Sequence, residues 1–364
     1  MMKYTALIIL AFALLQLLVA LLNRLLRERL PARGASPCHK TVSVLIPVRD
    51  EEKNIGRLLG DLTSLTDRLL EVILYDDHST DNSAAIISAF AKKDGRIRLI
   101  RSGGLPEGWS GKSNGCHRLA LEAKGDYLLF LDADVQVREG LIDRCLQYMA
   151  GRKADLMSIF PTQEMHTLAE KITVPNMQII LLSLLPLPLV RLSRFSSLAA
   201  ANGQFMLFKH EAYKELLPHE RYKKSRAEDI ETARYFKCQR RRVACLTGIG
   251  EVRCRMYNSL PAAVEGFARN VNYFFGNSAL LALIYWLVTT LGFVAFLLAG
   301  RTDLLGVWIG ATLLTRILVS STARMDIQQN LLLLLPQQIM LGRFIIRSIT
   351  NRRKNRFRWK GRII

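Results

Sequence analysis

The sequence Asp126-Tyr-Leu-Leu-Phe-Leu-Asp132-Ala-Asp134 decides the fold of this chain. Its apolar run, Tyr127 to Leu131, indicates a β-strand buried on both faces of a parallel sheet, and the run ends in two carboxylates one residue apart. Open α/β sheets bind ligands at that carboxyl edge of their strands. Two hard oxygen donors there suit a divalent cation that holds a diphosphate, although aspartates are also common in ordinary turns.

Apolar runs and helical patterns alternate on both sides of this strand. The expected strands cover residues 42–46, 72–75, 97–100, 127–131 and 154–160, and the expected helices cover residues 51–65, 81–91, 112–123 and 139–149. This order predicts an α/β domain with a mostly parallel, doubly wound, Rossmann-like sheet. No G-x-G-x-x-G opens the first helix and no P-loop motif occurs, so neither of those phosphate-binding motifs applies.

Polar residues collect where the expected strands end. Pro47 and Glu51 follow the first strand, Asp76 and Asp77 the second, and the Asp-x-Asp pair the central one. Because the carboxyl ends of parallel strands share one edge, we expect these residues to line one crevice. Lys112 begins a helix after a glycine-containing loop, which is a suitable place for phosphate oxygens or simply a helix start.

Two later stretches also carry candidate site residues. Residues 202–208 form another expected strand, in which Gly203 either lets a ligand approach the backbone or marks a bulge. Glu228 and Asp229 begin a helix, where acids are also favoured by the helix dipole alone.

Apolar segments near both ends of the chain predict membrane attachment. Residues 5–22 carry no charge and precede Arg24, Arg27 and Arg29, so we expect an uncleaved N-terminal anchor. Residues 279–298 and 304–323 are two further candidate spans. Residues 331–341 are short and interrupted by Pro336, and we expect them to lie in the interface. Residues 172–192 are broken by prolines and form either interfacial helices or a buried core segment.

Charge sets the expected orientation and partners. The flank after the first span and the tail from Arg343 onward are basic, so both should be cytoplasmic, with the N-terminus outside and the central region in the cytosol. The formal net charge of +20 arises beside apolar spans, which favours anionic lipid headgroups as partners and argues against nucleic acid. The six cysteines show no CxxC pair, as expected for reduced packing residues.

The ordered motifs resemble those of family-two glycosyltransferases with the GT-A fold, over about residues 40 to 260. With the membrane anchoring, the loop Gly108-Trp-Ser-Gly-Lys112 is most similar to carotenoid, chlorobactene or hopanoid-associated members. The motifs that carry this resemblance are Val42-Ser-Val-Leu-Ile-Pro47-Val-Arg-Asp-Glu51-Glu-Lys-Asn54-Ile, Asp76-Asp-His-Ser-Thr-Asp81, Gly111-Lys112, Phe130-Leu-Asp132-Ala-Asp134 and Glu228-Asp229. Two departures stand out: Asp50 replaces the usual asparagine, and the Gln-x-x-Arg-Trp motif of processive synthases is absent. The missing motif argues against polymer synthesis.

The resemblance implies a role for each candidate residue. Pro47, Glu51, Asp76 and Asp77 would hold uracil and ribose. Lys112 and Asp132 would approach the diphosphate, Asp134 would bind Mg²⁺ or Mn²⁺, and Gly203 would line the sugar and acceptor pocket. Asp229 would be the general base, with Glu228 as the neighbouring alternative.

These expectations combine into a membrane-anchored, inverting, metal-dependent glycosyltransferase of the cell membrane. It would move one sugar, for example glucose, from a UDP-sugar to the hydroxyl of a lipid or isoprenoid such as a carotenoid. A polyprenyl-phosphate glycosyltransferase and a nucleotide-binding scaffold without catalysis are the alternatives. The expected divisions are an anchor at 1–30, a cytoplasmic domain at 40–260 with an interfacial segment at 170–192, C-terminal helices at 275–345 and a basic cytoplasmic tail at 346–364.

Overall fold

The structure, a computed structural model, describes residues 2–32, 40–65, 68–257, 259–353, 358–359 and 362–363. Most of the expected linker, with Cys38, and most of the basic tail beyond Arg353 lie outside these residues. The strands are β1 Val42–Val48, β2 Leu69–Asp76, β3 Ile97–Arg101, β4 Tyr127–Leu131, β5 Val135–Val137, β6 Leu156–Gln163, β7 Phe205–Lys209, β8 Val243–Cys254, β9 Arg358–Trp359 and β10 Arg362–Ile363.

The first eight strands form one mixed sheet in the order β3-β2-β1-β4-β7-β6-β8-β5. Strands β1 to β4 pair in parallel, and so do β6 and β8. Strand β7 runs antiparallel between β4 and β6, and β5 runs antiparallel to β8. The prediction of a mostly parallel α/β sheet is therefore confirmed, with two reversed strands that the alternating pattern does not reveal.

Helices cover both faces of this sheet and continue beyond it at both ends of the chain. Two short 3₁₀ helices lie at Ser196–Leu198 and Val271–Phe275. The α-helices are α1 Met2–Leu25, α2 Ile55–Thr63, α3 Ser83–Ala91, α4 Gly111–Glu122, α5 Leu141–Arg152, α6 Leu168–Thr173, α7 Pro175–Leu184, α8 Leu187–Leu192, α9 His210–Leu216, α10 Pro218–Arg221, α11 Glu228–Cys238, α12 Leu260–Asn270, α13 Ala279–Leu291, α14 Phe293–Leu298, α15 Thr302–Ala323, α16 Ile327–Leu332 and α17 Leu334–Arg353.

Two of these helices, α1 and α15, are long and apolar enough to cross a bilayer. A third span would require α12 with its following 3₁₀ turn to join α13, and these are bent by 95°. Helices α1 and α15 run side by side in the same direction. Near their carboxyl ends Arg24 Nε donates to Ser321 Oγ at 3.2 Å, while Leu10 packs in one cluster with Leu304 near their amino ends.

The expected span at residues 279–298 is not one helix in the structure. It divides at Gly292 into α13 and α14. A Cβ added to Gly292 would lie 3.0 Å from Cγ2 of Ile9, so α1 packs directly against this break. Residues 331–341 belong to the end of α16 and the start of α17, and their expected interfacial position stays a prediction.

The proline-broken segment at 172–192 covers the end of α6, α7 and α8, and α7 packs against α1. Ile180 and Leu182 of α7 are buried. Asn23 of α1 holds the corner between α7 and α8: its Nδ2 donates to the Leu185 carbonyl at 2.9 Å, and its Oδ1 accepts from the Leu187 N–H at 2.7 Å. Much of this segment is therefore buried against the N-terminal helix.

The sheet and the C-terminal helices meet at β8. Gly248 has φ +68, and a Cβ there would lie 2.3 Å from the Thr322 carbonyl oxygen at the end of α15. Arg27 Nη1 donates to that same oxygen at 3.2 Å. One carbonyl thus joins the sheet, α1 and α15, and only glycine leaves room for it.

We expect Gly248→Ala to destabilise the protein by about 1–3 kcal/mol, because the added methyl group meets a backbone oxygen and the positive φ is strained. Thermal unfolding of the detergent-solubilised chain measures this as a lower Tm. Gly60→Ala in α2 is the matched control, because a Cβ there meets no atom within 4 Å. An unchanged Tm for Gly248→Ala would contradict the proposed packing of β8 on α15.

Candidate active site

Strand β4 carries the two aspartates to the carboxyl edge of the sheet. All five of its residues are buried, as the unbroken apolar run predicts. The Asp132 N–H donates to the Gln204 carbonyl at 3.3 Å, and the Val135 N–H donates to the Asp132 carbonyl at 3.2 Å. This turn leads into β5 and presents both carboxylates in the cleft.

Lys112 joins the acids of two distant segments. It lies in the first turn of α4, whose start is capped by the Ser110 hydroxyl. Its Nζ lies 2.7 Å from Asp132 Oδ1 and 3.5 Å from Glu228 Oε1. A Cβ added to Gly203 would lie 3.0 Å from the same Nζ, so the glycine leaves space for the ammonium group.

Asp229 is anchored by backbone groups at the start of α11. Its Oδ2 accepts from the Gly203 N–H at 2.9 Å, and its Oδ1 accepts from the Ile230 N–H at 2.8 Å. The second bond stabilises the start of α11, which is the ordinary structural role of an acid at the amino end of a helix. The first bond fixes the carboxylate beside the segment before β7.

The carboxyl groups of this cleft have strongly shifted pKa values. Burial raises the pKa of Glu228 to about 7, against the opposing effect of Lys112. Burial, helped by the carboxylates of Asp132 and Glu51, raises the pKa of Asp134 to about 7. Burial alone would lower the pKa of Lys112, but the attraction of Asp132 and Glu228 outweighs it and raises that pKa. Such perturbed groups in a cleft are typical of functional sites.

The Asp132 and Asp134 carboxylates fit a divalent cation that shares its ligands with a phosphate group. Asp134 Oδ1 is buried and has no hydrogen-bond partner, so one oxygen is free to coordinate an ion. Within the described residues no three His, Cys, Asp or Glu side chains are arranged to hold a metal by themselves. Mg²⁺ and similar ions commonly take one or two carboxylates and complete their shell with substrate phosphates and water.

The residues expected to hold the nucleotide lie along the adjacent strands. In the β1–β2 pairing, Pro47 lies opposite Tyr75, and the Asp77 N–H donates to the Val48 carbonyl at 2.9 Å. Asp50 has φ +50, which asparagine and aspartate tolerate best, and its Oδ1 accepts from the Thr80 N–H at 2.8 Å.

The ends of β1 and β2 are thus joined at the predicted edge. Asp76 accepts from the Ser79 N–H at 3.0 Å, so this carboxylate also supports its own loop. The carboxylate of Glu51 is close enough to Asp134 to raise the pKa of that acid. The residues after β1 therefore lie near the two central aspartates.

A largely apolar cavity of about 350 Å³ adjoins Asp229. Its walls come from α7, the 3₁₀ turn at Ser196–Leu198, the start of α11 and α12. Among the residues lining it, Asp229 is the single carboxylate. Local sequence patterns do not predict this cavity, because elements separated by up to a hundred residues enclose it.

Several basic and imidazole side chains have structural partners and no predicted role in the cleft. Arg253 and Arg255, near the end of β8, form ion pairs with Glu164 and Glu170. His219 is a packing residue: its Nδ1 lies 2.7 Å from the Tyr213 hydroxyl, and it is 3 % exposed. It supports α10 against α4, the helix that carries Lys112.

Comparison with known proteins agrees with this architecture. Residues 43–217 match the family described as glycosyl transferase family 2. The solved mannosyltransferase PcManGT from Pyrobaculum calidifontis, described in complex with GDP-Man and Mn²⁺, superposes with a TM-score of 0.58 at 14% identity, covering 98% of this chain and 100% of that one. This similarity confirms the GT-A fold.

Relatives with curated names are similar over a shorter region. The 4,4'-diaponeurosporenoate glycosyltransferase of Staphylococcus haemolyticus is 35% identical over 124 residues, which are 34% of this chain and 32% of that protein. Glycosyltransferase GlyG of Streptococcus pneumoniae is 30% identical over 116 residues, 32% of this chain and 37% of that protein. The chain therefore matches only about a third of the length of these relatives.

The buried imidazole predicts a pH-dependent stability. Burial lowers the pKa of His219 to about 3 from an ordinary 6.5. Below pH 6.5 the unfolded chain takes up a proton there that the folded chain does not, so stability falls as the pH falls towards 3. Between pH 6.5 and 4.5 we expect this one group to cost about 2–3 kcal/mol.

Unfolding in detergent at a series of pH values tests this prediction. His219→Gln should flatten the acid limb of the stability curve relative to wild type. His166→Gln is the control, because the His166 side chain is 63% exposed, and it should leave the limb unchanged. Equal pH dependence in His219→Gln and wild type would contradict the prediction.

Proposed function

We propose that the chain is an inverting, metal-dependent glycosyltransferase that acts on an apolar lipid or isoprenoid, because residues 43–217 match glycosyl transferase family 2. The donor is a nucleoside diphosphate sugar, in the first instance a UDP-sugar such as UDP-glucose. The acceptor is a hydroxyl group of a lipid, a carotenoid being one candidate. The observation that carries the acceptor class is the largely apolar cavity beside Asp229.

The donor side of this proposal rests on the carboxyl edge of the sheet. Lys112, held by Asp132 and Glu228, is a cation that can exchange a carboxylate partner for a diphosphate oxygen. Asp134 and Asp132 would hold Mg²⁺ or Mn²⁺, which when bound neutralises charge on the leaving diphosphate. Pro47, Glu51, Asp76 and Asp77 would form the nucleoside end of the same site.

The acceptor side rests on Asp229. Lys112 engages Glu228, and neither Asp132 nor Asp134 lines the cavity, whereas Asp229 does. Asp229 is thus the carboxylate that an apolar acceptor in the cavity would meet, which favours it over Glu228 as the general base. Gly203 fixes its orientation through the backbone N–H.

The reaction we propose is a single displacement. The acceptor oxygen forms a bond to the anomeric carbon, the bond between that carbon and the diphosphate oxygen breaks, and the configuration inverts. The hydroxyl proton passes to Asp229, and the electron pair of the broken bond leaves with the nucleoside diphosphate.

The proposed location is the cell membrane, with the catalytic domain and the tail on the cytosolic side. Helices α1 and α15 are the candidate anchors, and both have their carboxyl ends at the catalytic domain. Basic residues at these ends, among them Arg24, Arg27 and Arg324, fit anionic headgroups of the cytosolic leaflet. A lipid acceptor could then enter from the membrane while the sugar nucleotide arrives from the cytosol.

Transfer of labelled sugar into extractable lipid tests the proposed reaction. Membranes with wild-type protein and a panel of UDP- and GDP-sugars should give labelled lipid with Mn²⁺ and none with chelator. Asp134→Asn should lower the rate by roughly 100-fold or more, because metal stabilisation of the leaving group is worth several kcal/mol. Asp143→Asn on α5 removes one acid elsewhere and is the control. If the wild-type protein gives no labelled lipid with any donor, the proposal is overturned.

Asp229→Asn tests the acid–base role. With a hydroxyl acceptor the rate should fall by about 10²–10⁴, the usual value of a positioned base, while binding of UDP is retained. Glu231→Gln removes another acid from the same first turn of α11 and controls for the helix dipole. Full activity of Asp229→Asn would exclude it as the base, and activity with a polyprenyl phosphate alone would identify a phosphate acceptor.

A further inference from the structure

The cavity beside Asp229 contains a second charged group that the proposed reaction does not use. Arg234, on α11, lines the cavity, and its Nε is buried without a hydrogen-bond partner. No ion pair or hydrogen bond joins this arginine to another residue in the described parts of the chain. Arg234 is a half-buried residue, and its guanidinium group can therefore receive an oxyanion from the cavity.

A buried carboxamide lies in the wall of the same cavity. Gln178 of α7 is 5 % exposed, and its Oε1 has no partner within the described residues. Buried polar groups in folded proteins are nearly always paired, and this oxygen lies unpaired in the wall of a ligand-sized cavity, so the side chain gains a partner if it turns toward a polar ligand there. Because the two ends of a carboxamide have nearly the same shape, a half-turn presents its NH₂ group to an acceptor oxygen.

We propose that Arg234 and Gln178 bind an acidic group of the acceptor, separate from the hydroxyl that receives the sugar. This inference rests on the proposed function for its reacting end and names the acceptor class more narrowly: an apolar molecule that bears both a hydroxyl group and a carboxylate or phosphate. An oxyanion there compensates the guanidinium charge and pairs with the carboxamide.

The positions on α11 separate the two ends of such an acceptor. Arg234 follows Asp229 by five residues, which is about 7.5 Å along the helix axis and a different side of the helix. An acidic group close to Asp229 would face another carboxylate, whereas at Arg234 it meets a cation. The hydroxyl end therefore belongs at Asp229 and the acidic end at Arg234.

Equilibrium binding to the full chain in a neutral detergent tests the proposal. The probes share one apolar chain and differ in the headgroup: hexadecanoate, hexadecyl phosphate and hexadecanol. Wild type should bind at least one acid about tenfold more tightly than the alcohol, the value of one charge-assisted contact. The tighter of the two acids distinguishes a carboxylate from a phosphate.

Four variants assign the preference to the cavity. Arg234→Met should abolish the difference between acid and alcohol, Arg234→Lys should keep part of it, and Gln178→Leu should reduce it. Arg152→Gln, at the exposed end of α5, loses the same charge away from the cavity and should behave as wild type. Equal affinity for acid and alcohol in wild type, or a preference that survives both Arg234→Met and Gln178→Leu, would overturn the proposal.

This measurement is independent of sugar transfer. If the chain prefers acids through Arg234 but transfers no sugar, the acid-binding site is supported and the proposed transferase activity is contradicted. A chain that transfers sugar to lipid and shows no acid preference refutes this inference and keeps the proposed function.

Discussion

The charge balance around Lys112 is the constraint on which the active site depends. One ammonium group faces the carboxyl groups of Asp132 and Glu228, and two further acids lie beside these. Burial, together with the neighbouring carboxylates, raises the pKa of both Asp134 and Glu228 to about 7, and the single ammonium group does not offset this. The divalent cation that binds with the diphosphate in the proposed reaction would bring positive charge to these carboxylates.

Three segments must meet for this arrangement to exist, and the sheet order brings them together. Strand β7 lies next to β4, which places Gly203 beside the aspartates, while α4 brings Lys112 over the same edge. The missing side chain of Gly203 lets the ammonium group, Glu228 and Asp229 approach one another. Because β7 runs antiparallel to β4, the residues that precede β7, Gly203 among them, lie at the cleft. The residues that follow β7 lie at the opposite edge of the sheet.

Much of this edge follows from the sequence, because a short buried strand and the polar residues after it are local features. The convergence of Pro47, Asp76 and Asp132 needs only the rule that parallel strands share an edge. The cavity, Arg234 and Gln178 do not follow in this way. Gln178 lies in a segment that reads equally well as interfacial or core, and only the packing of α7 against α1 decides which side chains face inward. The break at Gly292 likewise packs against Ile9, nearly three hundred residues away in the sequence.

The carbonyl of Thr322, shared by Gly248 and Arg27, couples the position of the sheet to that of the apolar helices. The catalytic sheet and the two candidate anchors meet there at backbone level, where side-chain adjustment cannot absorb a misfit. A shift of β8 would therefore be transmitted directly to the backbone of α15, whereas the apolar cavity beside Asp229 is lined by none of these three residues.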